Sequence, residues 1–337
     1  MTKPESSNPA GPCPEASLPL QAVSEPLSEI AAGHPAADDQ PASPAEPQAA
    51  IEIAARGVTD QGRVRKNNED SLSACDLSQG QVITGPFAFE RGMGALGMLF
   101  VVADGMGGQA CGELASGLCS EMLPARVVAS ARQFGQMGPA ELGSSLEEAF
   151  IATNRSILEA SRSRPGCHGM GTTATAAALC GPYLLVAQVG DSRAYLLRNG
   201  NLVQLTRDQT FLNYLLDMGA VEATAPISED PRRSILVQAM GTAEEIHMVL
   251  TGVELRQRDR LLMCCDGLYS MVRPELLFEI VSRDGDLGEC CRALIDAANQ
   301  NGGNDNITAI MVEFSGTGLQ PCDPAGEVQV EAITFED

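Results

Sequence analysis

Asp104-Gly105-Met106-Gly107-Gly108 follows directly on an uninterrupted apolar run, residues 98–103. A carboxylate is thereby set at the mouth of a buried strand, on backbone too rich in glycine for regular helix or strand. Three further stretches share this build, with Asp beside Gly or Asn at the end of a β-like run. They are Val189-Gly190-Asp191-Ser192-Arg193, Cys265-Asp266-Gly267 and Asn304-Asp305-Asn306. Asp-Gly and Asp-Asn are also ordinary turn dipeptides, so one of them alone says little, but four strand-end aspartates suggest a single acidic centre. Hard divalent ions such as Mg²⁺ and Mn²⁺ prefer oxygen ligands and Mg²⁺ keeps several waters, so a few carboxylates on rigid supports are enough.

The elements that must hold these residues follow from hydrophobic periodicity. Strands are expected over 51–58, 71–75, 98–103, 172–180, 183–189, 193–198, 202–205, 248–255, 260–265 and 307–314, with Asn199-Gly200 as a hairpin turn. Helical spacing marks 113–131, 139–163, 211–218, 274–281 and 288–299. A Gly-rich loop is expected over about 78–97, and residues 208–240 break the strand rhythm as an excursion from the sheet. Long helices between and after runs of antiparallel strands argue for a layered α+β domain, not a doubly wound parallel sheet.

Composition bounds the remainder. Residues 1–50 are crowded with Pro, Ala, Ser and Glu and hold no Trp, Tyr or Phe, so a disordered acidic tail is expected there. Residues 316–337 are expected as a second acidic tail. Glu5 and several prolines at the start, without an apolar core, do not resemble a secretory leader, and no run approaches a membrane span. A cytoplasmic protein, expected to be a monomer, follows. The net charge of −22 makes nucleic acid an unsuitable partner and favours a divalent cation or a basic peptide. The eleven cysteines are odd in number and include two adjacent pairs, without CxxC or His spacing. Reduced, buried thiols are therefore expected in place of disulfides or zinc.

Seven motifs in order resemble those of the metal-dependent protein phosphatases, the type 2C serine/threonine family, in its bacterial form. They are Gly62-Arg63-Val64-Arg65-Lys66-Asn67-Asn68-Glu69-Asp70, Val101-Val102-Ala103-Asp104-Gly105-Met106-Gly107-Gly108, Gly169-Met170-Gly171-Thr172-Thr173, Val189-Gly190-Asp191-Ser192-Arg193, Leu205-Thr206-Arg207-Asp208, Cys265-Asp266-Gly267-Leu268, and Gly303-Asn304-Asp305-Asn306-Ile307-Thr308. The correspondence covers about residues 51–315. It implies a four-layer αββα sandwich of two antiparallel sheets flanked by helices, with a small flap subdomain at 208–240. It also implies a centre of two Mn²⁺ or Mg²⁺ ions and a weaker third ion.

Carried over by position, Asp104 would bridge the two ions, the Gly105 carbonyl would complete the first, and Asp266 and Asp305 would hold the second. Asp70 would act through metal-bound waters, and Asp191 with Asp266 would match the third position. Arg65 would grip the substrate phosphate, a guanidinium being the fork that binds two phosphate oxygens at once. Two ions about 3.5–4 Å apart share a water, lower its pKa and aim it at phosphorus. The implied activity is hydrolysis of phosphoserine and phosphothreonine in proteins, opposing a serine/threonine kinase on its targets.

This chain departs from the family pattern in several places. Met106 stands where eukaryotic members place His, so a metal-bound water is the candidate acid, with His168 as an outside candidate. Asp208-Gln209-Thr210 stands where Asp-His-Ser is frequent, and Asp230-Pro231 where His-Pro is frequent; these changes bear on substrate preference and leave the metal ligands alone. Phe87, Phe89 and Met93 would make the 78–97 loop a partner surface, unless it is only a flexible insertion. Oxidation of Cys111, Cys264 or Cys265 is a hypothetical route to weaker metal binding. A noncatalytic binding protein would be expected to have lost ligands, and all are present. Nucleotide-phosphate loops would need a Gly-Lys-Ser/Thr or a later glycine and acidic residue, which do not follow these turns.

Overall fold

Along β5 (Met98–Met106) alternate side chains enter two different buried layers. Met98, Phe100 and Val102 face one, and Leu99, Val101 and Ala103 the other, as the two-residue strand period requires. A strand covered on both faces is apolar throughout, which is why residues 98–103 form one continuous run. The structure, a computed structural model, describes residues 50–107, 111–135, 137–221, 230–323, 326 and 328–333. All but the last residue of the expected N-terminal tail lies outside them.

Two sheets make the inner layers, and every strand pairing within them is antiparallel. The first has the order β10 (Asn201–Gln204), β9 (Arg193–Arg198), β12 (Arg260–Cys264), β13 (Ile307–Ser315), β1 (Glu52–Asp60), β4 (Phe87–Gly92). The second runs β14 (Glu331–Ile333), β11 (Val249–Glu254), β8 (Tyr183–Val189), β7 (Ala174–Cys180), β5, β2 (Asp70–Asp76), β3 (Gln81–Thr84), with the short β6 (Gly171–Thr172) paired to β5. One apolar layer fills the space between the sheets. Helices α1 (Cys111–Phe134) and α2 (Pro139–Ser163) close a second layer over the β5 sheet. A third lies under α5 (Pro274–Val281) and α6 (Leu287–Gln300), on the β13 sheet. The expected αββα sandwich is the observed fold. The excursion after β10 carries α3 (Phe211–Asp217), and α4 (Asp266–Tyr269) begins at one of the strand-end aspartates.

Three expectations need correction. Residues 78–97 are not a flexible insertion, because they carry β3 and β4, and β4 crosses to pair with β1 in the opposite sheet. Phe89 stacks on both Phe87, at 5.6 Å between ring centroids, and Phe100, at 6.4 Å, and Phe87 lies tilted 6.2 Å from Phe100, so these aromatics help close the inter-sheet layer. The C-terminal segment does not read as folded by composition, yet Leu319 is buried in that same layer, Gln257 N–H donates to the Gln320 carbonyl at 2.9 Å, and β14 extends the second sheet. Acidic side chains of an edge strand can stand in water while its backbone pairs, which composition does not reveal. Finally, Cys111 and Cys167 form a disulfide with a Cα separation of 5.4 Å, whereas the other described cysteines are free. They are 56 residues apart in sequence, so only the packing of the α1 start against the loop after α2 brings them within bridging distance. Among the described residues no helix is long and apolar enough to cross a membrane.

Candidate metal centre

Strand parity places the carboxylates. On β2, Leu72 and Ala74 face the inter-sheet layer, so Asp70 at the strand's start shares that face. Contrary to the expectation that its glycines would end the strand, β5 runs on through Asp104 and Gly105 to Met106, held by pairing with β2 and β6, so Asp104 continues the row of Phe100 and Val102. Antiparallel pairing sets the start of β2 beside the end of β5, with Asp70 the register partner of Asp104. In the other sheet it sets the end of β12, before Asp266, beside the start of β13, after Asp305. Thr308 on β13 reaches across between the sheets and donates to Asp70 Oδ2 at 2.6 Å.

Arg65, Asp104, Gly105, Asp191, Asp266 and Asp305 all line one cleft of about 580 Å³, with Asp70 buried beside them. Sequence separation of up to 240 residues is bridged by Arg65 Nη2, which donates to Asp305 Oδ2 at 2.6 Å. His168 is exposed on the loop after α2 and does not line the cleft. Cys264 and Cys265 are fully buried, and burial above all pushes both thiols up, Cys264 to about 12.

The backbone around Asp104 is tightly held. Its N–H donates to Thr173 Oγ1 at 2.9 Å, and its carbonyl accepts from Thr173 N–H at 2.8 Å and Thr172 Oγ1 at 2.9 Å. At Gly105 a Cβ would run into the Gly112 and Glu69 carbonyls, and at Gly267 into the Asn306 carbonyl. Only glycine lets these turns approach so closely. Asn306 fixes the Arg65 loop: its Nδ2 donates to the Gln61 carbonyl at 2.9 Å and the Asn67 carbonyl at 2.8 Å, and its Oδ1 accepts from Glu69 N–H at 2.8 Å. Thr173 and Asn306 lie within motifs shared with the family, yet nothing in the sequence marks them as the residues that organise the site. Ser234 and Leu236, which line the cleft from the flap, carry no sequence signal.

The electrostatics are those of crowded carboxylates. Burial first, then the charges of Asp70 and Asp266, hold Asp104 well above the usual carboxylate range. Asp70 is pushed up to about 7, mainly by burial. Asp191 is also pushed up to about 7, by burial and then by Asp266 and Asp208. Asp266 is raised by burial and by Asp305. Burial works against the charge of Arg65, but the hydrogen bond and charge of Asp305 raise its pKa.

Asp70 Oδ1 and Asp266 Oδ1 are buried with no hydrogen-bond partner among the described residues. Orphaned acceptors in a converging acidic set fit a cation, whose charge would reverse the local cost of burying them. Among the described residues no three His, Cys, Asp or Glu side chains are gathered into a ready-made ligand set. This donor set suits an ion that keeps waters in its shell and takes only one or two carboxylates from the protein.

The family model for protein phosphatase 2C matches residues 56–213. The chain is 36% identical over 256 residues to the serine/threonine protein phosphatase PstP of Mycobacterium tuberculosis, covering 76% of this chain but 44% of that longer protein. It is 33% identical over 255 residues to the serine/threonine phosphatase stp of Listeria monocytogenes, covering 76% of this chain and 93% of that protein. Among solved structures, the PstP catalytic domain in complex with two manganese ions superposes with a TM-score of 0.59 at 32% identity, covering 79% of this chain and 99% of that one. The seven motifs, the sandwich and a Listeria relative matched nearly end to end converge on one conclusion: the chain belongs to the protein phosphatase 2C family.

Proposed function

We propose that the protein is a Mn²⁺- or Mg²⁺-dependent serine/threonine phosphoprotein phosphatase. The convergence of Asp104, Asp266, Asp305 and Asp191 with Arg65 in one cleft carries this reading. Asp104, the Gly105 carbonyl, Asp266 and Asp305 would hold two ions, Asp70 would act through waters, and Asp191 with Asp266 would hold a weaker third. Bound there, such ions supply Lewis-acid charge against the phosphoryl oxygens and an activated water for in-line displacement. The PstP structure with two manganese ions supports the two-ion count.

The chain's own residues do the positioning. Arg65 offers a permanently charged fork to the phosphate, and Asp305 holds the guanidinium at the cleft until substrate arrives. Thr172 and Thr173 fix the backbone that aims Asp104, and Thr308 orients Asp70. A cysteinyl-phosphate route is not available to Cys264 or Cys265, because thiols so buried and so raised do not form a nucleophilic thiolate near neutral pH. Phosphorylated proteins, a serine/threonine kinase and its targets, are the proposed substrates. A cytoplasmic, monomeric enzyme belongs to the same proposal.

The test is hydrolysis of a phosphothreonine peptide by purified protein in EDTA, Mg²⁺ or Mn²⁺, with Asp104→Asn as the blank. Turnover requiring both metal and Asp104 is expected. None with any ion, in a folded sample, would overturn the reading in favour of a noncatalytic binding protein.

A further inference from the structure

We propose that Gln209 is a positioning residue that fastens the flap to the turn carrying Asp191 and thereby sets the affinity for peptide substrates; this consequence for substrates rests on the phosphatase reading above. Gln209 lies between β10 and α3, and each of its polar atoms is engaged. Its backbone N–H donates to the Gly190 carbonyl at 3.0 Å, and its own carbonyl accepts from Val237 N–H at 2.9 Å. Its side-chain Oε1 accepts from Gly190 N–H at 2.6 Å and from Gln238 Nε2 at 2.9 Å. Its Nε2 donates to the carbonyls of Gln188 at 3.4 Å and His247 at 3.5 Å. The side chain thus joins the end of β8, the Gly190 turn and Gln238 of the flap, while the backbone of the same residue holds Gly190 and Val237.

The two parts it joins both border the cleft. Gly190 adopts φ 104°, and a Cβ there would strike Thr173, the residue that holds Asp104. Asp191 follows at once. On the flap side, Phe211 N–H donates to the Ile235 carbonyl at 2.8 Å and Thr210 bridges Leu236, so residues 209–211 and 235–237 form a short antiparallel ribbon. Its alternation turns Ser234 and Leu236 into the cleft and leaves Ile235 and Val237 about half exposed, at 52% and 54%. The depth at which Ser234 and Leu236 enter the cleft is therefore set where the ribbon is anchored, at Gln209.

The Asp191 turn has a second, independent support. Tyr269 donates to Asp191 Oδ2 at 3.2 Å, and the Arg193 guanidinium lies 3.6 Å over the Tyr269 ring. The same guanidinium forks onto Asp208 at 2.8 and 2.6 Å, and the Asp208 carbonyl accepts from Asn213 on α3 at 2.8 Å. Loss of the Gln209 side chain accordingly leaves the turn folded and loosens only its tie to the ribbon.

The experiment compares the full-length protein with Gln209→Ala and Gln209→His, the imidazole keeping one acceptor and one donor. Kinetics on a phosphothreonine peptide and on para-nitrophenyl phosphate are measured in Mn²⁺, alongside amide hydrogen exchange. For Gln209→Ala the peptide KM is expected to rise about tenfold, with kcat and KM on the small ester within about twofold. Exchange should quicken at Gly190, which loses its acceptor, and at His247, whose N–H is held by Gln238 Oε1 at 2.9 Å. Gln209→His should restore most of both effects, and it serves for comparison with wild type if the alanine variant does not fold. Unchanged exchange at these amides, or equal losses on both substrates with exchange raised throughout the domain, would overturn the proposal. Wild type inactive on both substrates defeats the phosphatase reading instead, while localised exchange changes at Gly190 and His247 still uphold the tie itself.

Discussion

Asp70 on β2 is the register partner of Asp104 on β5, so two carboxylates share one buried face at the edge where Thr308 crosses from the opposite sheet. Each raises the cost of ionising its neighbours, and that cost is what a divalent cation would remove.

Replacing Asp104 or Asp266 by Asn should therefore separate activity from stability. Turnover is expected to fall by about 10³-fold or more, while the melting temperature in EDTA holds or rises as like-charge repulsion is relieved. Asp191→Ala should be milder in turnover. Steady-state kinetics and thermal unfolding on the same samples check this, and full activity in Asp266→Asn would sink the ligand assignment.

The raised carboxylates set a pH dependence in the metal-free protein. Asp70 and Asp191 keep a proton up to about pH 7 when folded, but release it near pH 4 when unfolded. Their stabilising share is fully present below the unfolded value, and it is lost as pH rises through the folded one. Asp191→Asn does not titrate, so its stability relative to wild type should grow between about pH 4 and pH 7. Denaturant unfolding of both proteins in EDTA across that window measures the gap, and a gap independent of pH would refute the assignment.

Arg65 pairs with Asp305 while itself half exposed, at 52%. An exposed pair of this kind contributes at most about 1 kcal/mol, so Arg65→Ala should barely move the melting temperature. The phosphate grip is another matter, and KM for a phosphopeptide is expected to rise about tenfold or more, with Arg65→Lys recovering little because the fork is lost. Equal KM values in the three proteins would remove Arg65 from the substrate site.

The Cys111–Cys167 disulfide ties the start of α1 to the loop before β6 across a span of 56 residues. Reduction, or Cys167→Ser, should lower the unfolding free energy by about 2–4 kcal/mol. Thermal unfolding with and without reductant, with thiol counting before and after, tests this; a transition indifferent to reductant would contradict it.

Much of the molecule was legible in its sequence because the deciding interactions are local or rigidly periodic. Residues 139–163 read as a helix, and α2 spans Pro139–Ser163. The double burial of β5 wrote itself as an unbroken apolar run, and the strand-end aspartates stand out because each has a Gly or Asn beside it. Pairing between distant segments left no such mark. Which sheet β4 would join, that Cys111 would meet Cys167, and that an acidic segment would add β14 to β11 are decided by packing that periodicity does not encode. Gln209 makes the same point at the cleft. Its hydrogen bonds reach β8, the Gly190 turn and the flap, whereas the sequence marks it only as a departure from the family's Asp-His-Ser and shows none of these partners. Residue type and spacing set the chemistry this chain can perform, and tertiary structure alone decided which side chains hold that chemistry in place, because a hydrogen bond depends on positions in space.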